Sequence, residues 1–281
     1  MRKPILILAA ALVLMAAGCR QLKSRDQINK GVNAFKNAQF PQAVEHFKTA
    51  VELEPTLTTA RLYLATAYMQ QYVPGADSPD NLKMADAAYN EFKRVLQDDP
   101  NNKLATQYIA SLMLNEQKMD EAEKWNQKVI QLDPRNADAY YTLGFITWSK
   151  WFKAYSTALH DIGIKPDDPG PLGVKDGKKP ADKKALAVKA ELKQKWGPEI
   201  QSGLDNLNKC LSVDPLYADA MIYENLLIRE RAALTDSREE YDKEVAVAQS
   251  WLDKAMQAKK TVAEQKAKKA AANGITTEEQ K

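Results

Sequence analysis

Four prolines close the same short phrase. It reads Glu-Leu-Glu-Pro at Pro55, Gln-Asp-Asp-Pro at Pro100, Gln-Leu-Asp-Pro at Pro134 and Ser-Val-Asp-Pro at Pro215. Proline cannot continue a helix, and it pushes the residue before it out of helical geometry, so each phrase ends a helix. Pro100 and Pro134 stand 34 residues apart, and the residues between them read as a helix, a turn and a second helix. Pro55 to Pro100 is eleven residues longer than that period, and Pro134 to Pro215 is 47 longer. Such punctuation demands paired helices. Each pair is too small to bury its own apolar face and must stack on its neighbours.

Residues 24–55 carry the plainest copy, with Gly31, Ala43, Phe47, Ala50 and Pro55 in fixed register. Small residues suit points where two helices cross closely. This pattern resembles the tetratricopeptide repeat, which wants small residues at positions 8, 20 and 27, an aromatic at 24 and proline at 32. The second copy starts at Thr58 with Leu64, Ala65 and Tyr68, is interrupted by a loop over 72–79, and resumes with Ala88, Phe92 and Val95. The third is uninterrupted, with Ala110 and Ala122 at the crossing and Ile109, Leu112, Val129 and Ile130 as packing residues. The fourth begins at Ala137 with Leu143 and Gly144, and its second helix holds Gly203, Leu207 and Cys210. The fifth starts at Ala218. Its second helix, from about Ser237, has Ala248, Leu252 and Ala255 at the crossing and a charged outer face suited to a terminal cap. The resemblance covers residues 24–256. It implies an all-α, tetratricopeptide-like solenoid of about five helix pairs, with a large insertion in the fourth.

Arg2 and Lys3 precede an apolar run over residues 5–17, which is short for a membrane span and fits the core of an export signal. The run ends Ala16-Ala17-Gly18-Cys19. Small residues directly before a cysteine resemble the bacterial lipoprotein processing box, except that Ala16 stands where leucine is usual. The resemblance implies a signal peptide over 1–18, lipid on Cys19 and a tether over 19–23. The alternative is an ordinary secretory signal cleaved near Ala17. Arg20, in place of aspartate after the cysteine, implies by the same resemblance an outer-membrane anchor facing the periplasm.

The insertion, residues 160–200, opens rich in Pro, Gly and Asp and then turns helical from about 181 to 196. Nine lysines face five acids between 165 and 195. Mixed with Asp and lacking arginine, this reads as a solvated lysine face; contact with acidic lipid or an acidic partner is the alternative. Tyr141, Phe145, Trp148, Phe152 and Tyr155 step by 4, 3, 4 and 3 and form one helical stripe. The insertion is expected to fold back over its end, placing Leu186, Leu192 and Trp196 on Trp151, Phe152 and Tyr155, with Tyr141, Phe145 and Trp148 left open. Residues 201–258 complete the repeats, and the Lys/Ala-rich residues 259–281 are expected to be disordered.

Charge and motif content exclude several functions. The net charge is +3, and without Arg2 and Lys3 there are 38 basic against 37 acidic residues, so no general drive toward nucleic acid exists. His46 and His160 lie in no zinc spacing, and no phosphate loop, nucleophile elbow or dinucleotide fingerprint occurs. No cofactor, no metal and no catalysis are expected. Cys210 reads as a small buried apolar residue, with a reactive thiol as the alternative; no disulfide to Cys19 is expected.

What remains is binding. In the family the first helix of each pair lines a concave groove. The resemblance carries contact positions onto Leu62, Thr66 and Met69 in the second copy, Gln107, Ser111 and Leu114 in the third, and Tyr141, Phe145 and Trp148 in the fourth. This set is apolar and amide-rich, suited to peptide or protein partners. The implied function is a non-catalytic scaffold, lipid-anchored in the bacterial cell envelope. An envelope receptor for glycans or small ligands, using the aromatics over 141–155, is the alternative.

Overall fold

The computed structural model describes residues 3–164, 172 and 183–272, with side chains from Arg20 onward. Among these residues every regular element is a helix. The order is α1 (Lys3–Lys36), α2 (Phe40–Leu53), α3 (Thr58–Met69), α4 (Pro79–Asp98), α5 (Lys103–Asn115), α6 (Met119–Leu132), α7 (Ala137–Asp161), α8 (Lys183–Val213), α9 (Ala218–Ala233) and α10 (Arg238–Ala272). They pack as five consecutive pairs in two compact units, residues Met1–Leu132 and Asp133–Lys281. The fold is all-α and tetratricopeptide-like.

The crossings show why small residues recur. A Cβ on Gly31 of α1 would lie 2.5 Å from the Phe47 ring of α2, and one on Gly144 of α7 would lie 2.5 Å from Leu207 of α8. Ala43, Ala88, Ala122 and Ala248 are all fully buried at the matching point of the second helices. In the last pair Asn225 occupies the small position of α9 and is buried; its amide donates to the Ala248 carbonyl of α10 at 2.6 Å.

The Asp-Pro phrase does more than stop a helix. Asp99, Asp133 and Asp214 each accept from the backbone N–H two residues on, at 3.3, 3.3 and 2.9 Å. These Asx turns fold the chain back toward the next helix. Asn102 and Asn136 then cap that helix, accepting from the N–H groups of Ala105 and Ala139. Within two of the pairs the turn passes through a left-handed residue, Ala38 or Gln117, both at φ 57°.

In the first unit the aromatics at position 24 reach forward. Phe47 stacks on Tyr63 of α3 with ring centroids 5.4 Å apart, and Phe92 stacks on Tyr108 of α5 at 5.2 Å. Arg61 of α3 and Glu91 of α4 form a shielded ion pair at 2.9 Å. Asn81 pins the interrupting loop: its side chain accepts from Val73 N–H and donates to the carbonyls of Val73 and Ala76.

The second unit departs from the sequence expectation in three places. The helical half of the insertion is no separate element, because it runs without a break into the repeat helix as the 31-residue α8, with Pro198 inside it. Its lysines are not all solvated. Lys189 is buried, donating to Asp236 at 2.9 Å and to the Thr235 carbonyl at 3.0 Å, while Lys193 meets the same carboxylate at 2.7 Å. Finally, residues 259–272, expected to be disordered, continue α10 to Ala272; a Lys/Ala composition favours helix even where nothing past Ala258 is buried. Residues 273–281 lie outside the described residues.

Candidate functional site

α1 is continuous from Lys3 through Lys36, so the expected leader boundary and the 19–23 tether fall inside one helix. The Cys19 side chain lies outside the described side chains. No helix among the described residues is long and apolar enough to cross a membrane.

In the first unit the candidate contact residues lie on two first helices of their pairs. Leu62, Thr66 and Met69 sit half-buried on α3; Gln107 and Leu114 sit half-buried on α5 and Ser111 exposed beside them. Thr66 donates its hydroxyl to the Leu62 carbonyl at 2.7 Å. The face is apolar with scattered amides, and its side chains keep enough exposure to meet a partner.

The second unit holds a denser arrangement. Tyr141, Phe145 and Trp148 come together, and the residue that joins them is Tyr223 of α9. Its ring lies 5.6 Å from Tyr141, 5.3 Å from Phe145 and 5.3 Å from Trp148, edge-on to all three. Tyr217 adds a contact to Tyr141 at 5.1 Å, and its hydroxyl donates to Asp138 at 2.8 Å. Edge-to-face packing of this kind is favourable beyond area burial alone. Burial pushes the phenols of Tyr141, Tyr217 and Tyr223 above their ordinary range, so all three stay neutral. Tyr141, Phe145 and Trp148, expected to stand open, are therefore half-buried against α9. No spacing in the sequence singles out Tyr223, because its part in this face depends on α9 packing on α7.

The end of the stripe also differs from expectation. Leu192 is buried in the core of this unit and Trp196 meets Trp151 edge-on at 5.7 Å, so α8 does cover this stretch. Trp151 is fully buried, stacks on Tyr155 and donates its indole N–H to Glu230 of α9 at 3.1 Å. Leu186, however, is only half-buried and outside that core, and Phe152 remains 43% exposed. The physical reason is helical phase: Trp151 and Tyr155 turn toward α8 and α9, while Phe152 follows Trp148 and stacks on it at 5.3 Å. The Trp148 indole N–H is out of solvent and has no hydrogen-bond partner among the described residues. The result is a half-buried aromatic face ending in one exposed ring.

Cys210 is fully buried, and burial, reinforced by Asp138 and Asp214, pushes its thiol up to about 12. It is a packing residue beneath Tyr141. Among the described residues no group of three or more His, Cys, Asp or Glu side chains could hold a metal ion.

A family model described as tetratricopeptide repeat matches residues 82–144. No curated protein matches the sequence. Among solved structures, the chain is similar to one described as a crystal structure of MamA protein. That match is 16% identical, covers 86% of this chain and 94% of that one, and has a TM-score of 0.53. It is likewise similar to MamA, residues 41 to the end, from Desulfovibrio magneticus RS-1, at 14% identity, with 85% and 96% coverage and a TM-score of 0.53. At such identity these structures speak to fold alone, and with the family match they establish a tetratricopeptide-like, all-α architecture for this chain.

Proposed function

We propose that this chain is a non-catalytic scaffold that binds peptide or protein partners through its first-helix faces and is held in the bacterial envelope by lipid on Cys19. The observation that carries the binding reading is the aromatic face of the second unit. Tyr141, Phe145, Trp148 and Tyr223 form a rigid apolar floor, and Phe152 presents an exposed ring at its edge. Apolar side chains of an extended or helical peptide suit such a floor. The faces of α3 and α5 supply a second, more polar set through Leu62, Thr66, Met69, Gln107, Ser111 and Leu114. A glycan receptor is the second reading, favoured by one feature: Trp148 and Phe152 stack nearly parallel, at 20°, and offer a flat aromatic edge.

Site-specific photocrosslinking in intact cells tests this. A crosslinker at Phe152 or Ser111 should give discrete protein adducts, while one at the exposed Lys209 of α8 should give none. Equal adduct patterns at all three positions would refute the scaffold reading. Quenching of tryptophan fluorescence by oligosaccharides, lost in Phe152→Ala, would favour the glycan receptor. The anchor is checked separately: Cys19→Ala should move the protein from the membrane to the soluble envelope fraction, and retention on membranes washed in high salt would exclude lipid attachment.

A further inference from the structure

Among the described residues of the second unit, Glu224 is an acid with only 2% exposure, and its Oε1 has no hydrogen-bond partner. It makes no ion pair with any described residue. It lies on α9, which packs against α7, α8 and α10. The charges acting on it are Arg231 of α9 itself, Asp205 of α8 and Lys254 of α10. None neutralises it directly. Arg231 is committed to Glu244 of α10 at 2.8 Å, and Lys254 lies over the Trp251 ring at 4.0 Å. Arg231 and Lys254 offset part of the cost from a distance, but a carboxylate whose Oε1 is enclosed without a hydrogen bond still loses more hydration than a neutral carboxyl does. Its two chain neighbours have defined tasks: Tyr223 joins the aromatic face, and Asn225 ties α9 to the Ala248 carbonyl of α10.

We propose that Glu224 is a proton-operated catch for the last helix pair: α9 is held tightly between α8 and α10 when the carboxyl is neutral, and it loosens, with Tyr223 and the Asn225 tie, when the carboxyl ionises. Burial pushes this group up to about 7, against an ordinary 4.5. The direction follows from linkage. A raised acid leaves the folded state fully favoured below the ordinary carboxylate range, and that advantage drains away as pH rises toward and through neutrality. The catch therefore closes on the acid side and opens on the alkaline side. That the aromatic face binds a partner is a separate reading on which only the functional meaning of the catch rests.

Amide hydrogen exchange of the full chain between pH 5 and 8 reads the catch without any ligand. After correction for intrinsic exchange chemistry, protection of α9 and of α10 around Ala248 should fall by roughly 100-fold over that range, the linkage expected from a shift of this size. Protection in α3–α6 should stay level. Glu224→Gln should keep α9 protected at pH 8 and abolish the pH dependence. Protection of α9 that is level in the wild type, or equally pH-dependent in Glu224→Gln, would overturn the proposal. Should that variant fail to fold, carbon-13 titration of the Glu224 carboxyl in the wild type decides instead: a midpoint near neutrality supports the catch, and ionisation complete by pH 5 overturns it. Neither result bears on crosslinking at Phe152, so failure of the catch and failure of the binding reading are distinguishable.

Discussion

Gly31 and Gly144 each stand where one added carbon would strike a side chain of the partner helix at 2.5 Å. Alanine would gain about 1 kcal/mol in helix propensity. That gain is smaller than the roughly 1–3 kcal/mol cost of overpacking against a ring that is itself enclosed. Gly31→Ala should therefore lower stability in urea unfolding despite its better propensity. Gln117 presents the opposite case. It sits at φ 57°, a region costly for any residue with a Cβ, so Gln117→Gly should raise the melting temperature by the equivalent of about 0.5–1 kcal/mol. The small crossing residues were legible in the sequence because their cause is a short-range steric fact repeated at a fixed period. Asn225 was not. A polar residue breaks the small-residue pattern, and its justification, the Ala248 carbonyl, lies 23 residues away on another helix.

At the scale of elements, the second unit depends on how the insertion is fastened. Lys189 has 7% of its side chain exposed, whereas Asp236 has 67%. Asp236→Ala should thus cost more than Lys189→Met, because the first leaves an ammonium buried with only a carbonyl and the second removes the charge altogether. Urea unfolding of the two variants gives the ranking. The pair of lysines holds the Asp236 carboxyl down to about 2. Its contribution is present above the ordinary carboxylate range and is lost as pH falls through about 2, and exposure to solvent keeps it small. None of this was legible beforehand. Lys189 and Asp236 are 47 residues apart, and Gly197-Pro198 reads as a helix stop, yet α8 passes through it. Gly197 lowers one part of the cost, because without a Cβ it avoids most of the clash that bars other residues from helical geometry before proline.

Taken as a molecule, each of the two units has buried apolar residues of its own among the described residues. Phe47, Phe92 and Ile109 are buried in the first unit, and Trp151, Leu159, Ile200 and Leu227 in the second. Trp151→Ala should cost roughly 3–5 kcal/mol, and pulse proteolysis should then open sites in 133–272 before those in 20–132. The period of the prolines made the helix pairs of both units readable. The division at residue 132 left no mark in composition, since Leu132 and Asp133 belong to one repeat phrase.

The unbroken α8 carries a further consequence for how this chain can change length. Ala185, Lys189, Leu192, Ile200, Gly203, Leu207 and Cys210 all point inward from one rod. Each residue added or removed between Leu192 and Ile200 rotates everything upstream by about 100°. A single-residue deletion there would swing Lys189 away from Asp236 and turn Leu192 toward water, while the repeat below kept its packing. Two whole turns, seven residues, would nearly restore the rotation while displacing the latch by about 10 Å along the axis. Unlike a surface loop, which tolerates any length, this insertion is geared to its repeat, and drift in its length is permitted only in steps the helix can count.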